Sequence, residues 1–133
     1  MKLLKLALPV LACSGIALMA QENGPIEEWM KTTNQSMQAL RKMEKKTGPE
    51  AVASAEKIVT AYDSMIGFWK ERKVEDAVKL SEAGKVAASE LVDAAKVENV
   101  EGAAAAFGKV AGTCMPCHSV HRERTPEGKY KIK

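Results

Sequence analysis

Five consecutive residues near the C-terminus carry the strongest chemical signal in the chain: Cys114-Met115-Pro116-Cys117-His118. Two thiols three positions apart, followed at once by an imidazole, form the C-x-x-C-H pattern through which haem is attached to c-type proteins. Each thiol adds to one vinyl group of the porphyrin, and the imidazole is left under the iron as its proximal ligand. Three other chemistries use the same residue types. A thioredoxin-like redox pair needs a strand-helix alternation around the cysteines, and the chain has none. Cys114, Cys117, His118 and His121 are a zinc-type donor set. Four ligands within eight residues leave little slack to close a tetrahedron. A plain disulfide leaves His118 without a purpose. Covalent haem, one per chain, accounts for all three conserved-type donors of the motif together.

Several elements must position such a group. The chain has 133 residues, the size of one domain. Residues 1–20 read as an export signal: a basic start with Lys2 and Lys5, an apolar run from Leu6 to Met19, and Ala20 at a cleavage point before Gln21. The apolar run is too short for a membrane span. Cys13 sits in a stretch that loosely resembles a lipoprotein signal, but Leu11 is bulky where such signals carry a small residue, so cleavage after Ala20 is preferred. Export agrees with the motif, because haem is attached to C-x-x-C-H outside the bacterial cytoplasm; the expected location is the periplasm. The net charge is +3, and losing Lys2 and Lys5 leaves 18 basic against 17 acidic side chains. That balance gives no footing for nucleic acid. The segment from Arg122 to Lys133 is locally basic, with five Lys and Arg against Glu123 and Glu127. It reads as a solvated tail, with docking to an acidic redox partner as the sharper alternative.

Residues 21–133 read as an all-α domain, an antiparallel up-down-up-down four-helix bundle. Glycine and proline punctuate it. The spacing predicts helices from Pro25 to about Lys46, Pro49 to Arg72, Val74 to Val97 and Asn99 to Arg124. No strand alternation is evident. The fourth helix carries Ala103, Phe107, Val110, Cys114 and Cys117 on one stripe, which turns the thiols inward and puts the haem near its C-terminal end. The third has a seam of small residues, Gly84, Ala87 and Ala94, suited equally to close packing or to a planar cofactor.

Short loops bring the start of the first helix and the end of the last to the same end of the bundle. Met30 and His118 then lie roughly 8 and 9 Å from that end, at 1.5 Å per residue. Met30 is therefore the expected distal ligand, with Met65 as the rival. Met37 shares the stripe two turns deeper. Trp69 is placed at a depth where it could pack on the porphyrin edge. Arg122, one turn beyond His118, could sit near the imidazole or a propionate.

From these residues the chain resembles the class II c-type cytochromes, the cytochrome c-prime family with its Met-ligated low-spin relatives. The likeness is greatest from Phe107-Gly108-Lys109-Val110-Ala111-Gly112-Thr113-Cys114 through Arg122, and includes Trp29-Met30-Lys31. It implies Cys114 and Cys117 as thioether sites, His118 as proximal ligand and Met30 as distal residue. Two positions depart from the family pattern: Ile26 stands where an arginine is frequent, and His121 where an aromatic residue is common. The resulting expectation is a periplasmic one-electron carrier, not an enzyme, acting with redox partner proteins and compatible with a homodimer. The alternative is a five-coordinate haem protein that binds NO or CO.

Overall fold

The computed structural model describes residues 23–133; the residues read as an export signal, Cys13 among them, lie outside these. The fold is mostly helical: α1 Ile26–Lys42, α2 Pro49–Glu71, α3 Glu75–Lys96, α4 Val100–Gly112 and α5 Cys114–His121, followed by strands β1 Arg122–Arg124 and β2 Tyr130–Ile132. Helix ends follow local chemistry. Pro49 opens α2 at a position where a missing N–H costs nothing. Asn99 caps α4 by accepting the Gly102 N–H at 2.9 Å. Lys73 and Glu98 take the left-handed conformation that ends α2 and α3, a role glycine usually fills.

Consecutive helices pack together: α1 on α2, α2 on α3 and α3 on α4. The Gly48 N–H donates to Ala95 O at 3.2 Å, which sets the start of α2 against the end of α3. Because α2 has a neighbour on each side, it buries residues around much of its circumference, including Ile58, Tyr62, Met65, Phe68 and Trp69. Gly84 of α3 lies against the Tyr62 ring, so closely that a Cβ there would fall on the ring atoms. At that point the small-residue seam serves close packing. The pair α1 and α4 is different. It lacks the extended contact of the other three, and a cleft opens between them.

Three expectations need correction. The first helix ends at Lys42, not Lys46. Met43 is extended there, and the Lys46 amine is drawn to Met43 O at 3.5 Å and to the Phe107 ring at 5.0 Å, so the last predicted turn becomes a strap to α4. The expected single last helix is broken at Thr113 into α4 and α5. Pro116 is the cause: it cannot donate to Gly112 O and its ring would clash with that carbonyl, so the helix stops and restarts with Pro116 in the first turn. The expected helical end and solvated tail form a hairpin instead, with Arg122 opposite Ile132 and Arg124 opposite Tyr130. Thr125-Pro126-Glu127-Gly128 turns the chain, with proline second and glycine fourth as such turns prefer. Among the described residues no helix is long and apolar enough to cross a membrane.

Leu91 is fully buried, whereas Val86 on the same helix is 59% exposed. Leu91→Ala should destabilise the protein by about 2–5 kcal/mol, and Val86→Ala by no more than about 0.5 kcal/mol. Urea unfolding monitored by circular dichroism distinguishes the two.

Candidate functional site

The cleft between α1 and the end of α4 continues along α5 and holds a cavity of about 240 Å³. Its walls bring together residues from every long helix. Met30, Thr33, Asn34, Met37 and Arg41 come from α1, Tyr62 and Met65 from α2, and Leu80 and Ser81 from α3. Cys114, Cys117 and His118 supply the opposite wall. Met30 and the three motif residues therefore line one space. Met37 and Met65 face it too. Met65 is fully buried, Met37 is 6% exposed, and Met30 is half-buried. The cavity runs further along α1 than expected, because side chains lean toward their helix N-terminus and the deeper Met37 and Arg41 reach back.

Both cysteines are free thiols. Burial pushes Cys114 upward from the ordinary thiol range, against the opposing pull of the Tyr62 hydroxyl and the Arg41 charge. Burial also raises Cys117, helped by the negative charge of Asp76 and by the nearness of the second thiol, Cys114. Reactive redox cysteines need the reverse, a thiol held below its usual value. The electrostatics thus argue against the thioredoxin-like alternative, as does the absence of a strand-helix alternation. Burial holds His118 below the ordinary imidazole range, and the Arg122 guanidinium adds to this. The neutral ring keeps a free lone pair at neutral pH.

His121 does not join the motif. Its Nε2 lies 2.7 Å from Asp76 Oδ2, and its ring tilts against Trp69 with centroids 5.3 Å apart. Among the described residues no group of three or more His, Cys, Asp or Glu is arranged to hold a metal ion. A tetrahedral zinc site would have to pull His121 away from Asp76.

Two expected site residues lie outside the cavity lining. Trp69 is buried at 3% exposure, stacked edge-on with Phe68 and covered by His121, and its indole N–H has no partner. Arg122 lies in β1 with its guanidinium 4.1 Å above the Tyr130 ring; it influences His118 through its charge. Tyr62, Thr113 and Arg41 are wall residues that sequence patterning did not single out. Thr113 precedes the first cysteine and lies three before Pro116, a spacing that in retrospect marks a helix break.

The C-terminal hairpin closes this end of the molecule. Asn23 donates to Tyr130 O at 2.9 Å and accepts from the Ile132 N–H at 3.0 Å, while the Lys133 N–H reaches His121 O at 3.1 Å. Comparison of the chain with protein families, curated proteins and solved structures finds no match.

The hydrogen bond from His121 holds the Asp76 carboxyl below its ordinary value of 3.8. A carboxylate with a lowered folded-state pKa stabilises the fold above its unfolded pKa and loses that contribution as pH falls through the folded one. Asp76→Asn should therefore lower the thermal midpoint at pH 5–6. The difference from the parent protein should shrink below about pH 3.8. Thermal unfolding across pH 2–6 tests this; a constant difference would show that the pair does not contribute through its charge.

Proposed function

We propose that this chain is a class II-like c-type cytochrome, a periplasmic one-electron carrier. On this reading the long helices form an antiparallel up-down-up-down bundle with the haem near the C-terminal end of the last. The single observation that carries the proposal is that the C-x-x-C-H segment lines a cavity that Met30, Met37 and Met65 also line. Cys114 and Cys117 would hold the cofactor through their sulfurs, His118 would take the proximal position and Met30 the distal one. Met30 is preferred over Met37 and Met65, which line the same cavity, on the ground of the helix-depth arithmetic read from the sequence.

The donor set suits a haem. Two thiols three residues apart on one helix are spaced for two vinyl groups, the adjacent imidazole is neutral, and thioether sulfur is available opposite. At about 240 Å³ the cavity is smaller than the roughly 300–1,000 Å³ usual for small-molecule sites. A group as large as a porphyrin would fill it and leave one edge toward solvent, the arrangement an electron carrier needs. When bound, haem supplies a reversible one-electron couple. The protein's part is electrostatic and steric. Met37, Met65 and Leu80 exclude water from the inner wall, which disfavours the more highly charged oxidised state. Sulfur from Met30 favours the reduced state in the same sense. The basic hairpin beside the attachment helix gives an acidic redox partner a surface to approach.

Purified full-length protein from an exporting, haem-attaching host should keep its colour in the polypeptide after denaturation and extraction with acidified organic solvent. Colour in the organic phase, or zinc at one per chain, would overturn the proposal.

The oxidised protein should be low-spin and show the weak long-wavelength sulfur-to-iron band. Met30→Ala should remove that band, turn the iron high-spin and admit CO. It should also lower the reduction potential. A parent protein already high-spin and rapidly bound by CO would instead make the chain a gas-binding member of the same class. An unchanged spectrum in Met30→Ala would move the ligand assignment to Met65.

A further inference from the structure

The helix that carries the attachment motif has almost nothing apolar to hold it. No residue of α5 is buried. Its polar ties lie at or beside its two ends. His121 at the last position bonds Asp76 of α3 and packs its ring against Trp69. Just before the first position, Thr113 bonds Tyr62 of α2.

The second tie has a defined direction. The Thr113 hydroxyl donates to Val110 O at 2.8 Å. It has one proton, so across the 2.8 Å contact with Tyr62 it must accept, and the phenol donates. The Thr113 N–H also reaches Val110 O, at 3.1 Å. In an unbroken helix the Val110 carbonyl would take its one bond from the Cys114 N–H; here Thr113 captures it from both its hydroxyl and its amide. The relay from Tyr62 through Thr113 to Val110 thus spans the one residue between α4 and α5. Both its ends are anchored, because Val110 is fully buried and the Tyr62 ring is seated on Gly84. Burial also pushes the phenol up to about 12, so it remains a donor throughout the neutral range.

We infer that Tyr62, acting through Thr113, is the positioning residue of the attachment segment: the pair sets the interruption that turns Cys114, Cys117 and His118 onto one cavity. Pro116 forbids a continuous helix but does not tie the restarted segment to the bundle. The Tyr62 relay ties it to α2, and Gly84 is required because only glycine lets the ring lie there. The functional weight of this assignment rests on the haem reading above.

The test uses the full-length protein, with its cofactor attached, and the variants Tyr62→Phe, Thr113→Val, their combination and Thr113→Ser. Amide hydrogen exchange is compared between the segment from Thr113 to His118 and the α2 core from Ala55 to Ala61. Loss of one hydrogen bond corresponds to roughly a tenfold rise in local opening. Tyr62→Phe and Thr113→Val should each accelerate exchange about tenfold in the attachment segment and leave the α2 core unchanged. The double variant should be no worse than either single one, and Thr113→Ser should match the parent. The long-wavelength sulfur-to-iron band should shift or broaden in the first three and not in Thr113→Ser. Equal acceleration of both segments would reduce the pair to ordinary core packing and overturn the assignment. So would additive effects, or unchanged exchange in the attachment segment. Exchange is read from the polypeptide whether or not haem is present. A colourless parent protein would therefore sink the proposed function, while the exchange pattern would still decide the role of Tyr62.

Discussion

Pro116 has no amide hydrogen, and the geometry of the candidate site follows from that. Without the bond from residue 116 to Gly112 O, the last helix is interrupted at Thr113, and a separate short helix starts at Cys114. The restart puts two thiols and an imidazole on a short segment with no core of its own. That segment must be tied down by polar bonds, and it is: at Thr113 by Tyr62 and at His121 by Asp76. Both partners sit on the long helices that make the best-packed part of the fold. The rigid pair of α2 and α3 thus supports a site built on its least buried helix.

The second constraint is the gap between α1 and α4. Three helix pairs close against one another and this one does not. The cavity it leaves is walled by flexible methionines, which adapt to the shape of whatever enters. Arg41 is the cation at this wall, and its charge reaches Cys114. The hairpin completes the same end of the molecule from outside, sewn to the start of the described chain by Asn23. The exposed Met115, Val120 and Tyr130 leave an apolar fringe among the basic residues there.

Much of this was legible in the residues. Glycine and proline marked the connections because their backbone limits act locally, with no help from the rest of the fold. Helix rise singled out Met30 as a residue to share a space with His118, and both line the cavity, although the same arithmetic set aside Met37, which lines it too. The hairpin was not legible. Strands of three residues carry no period, and what holds them is Asn23, about a hundred residues away in the chain. The break at Thr113 was legible in principle through Pro116, but the apolar stripe running through Val110, Cys114 and Cys117 argued for continuity and outweighed it.

Sequence by itself determined the helical character, the donor set Cys114, Cys117 and His118, and the end of the molecule at which that set lies. These depend on periodicity, turn residues and covalent spacing, all short-range properties. Tertiary structure alone decided which neighbours each side chain meets. Trp69 lies beneath His121 instead of on the cavity wall, Arg122 stacks on Tyr130, and Met37 and Met65 join Met30 at the cavity. A helical stripe tells which side of a residue faces inward. It does not tell which of two adjacent helices it faces, because that choice is made by the packing of several helices at once.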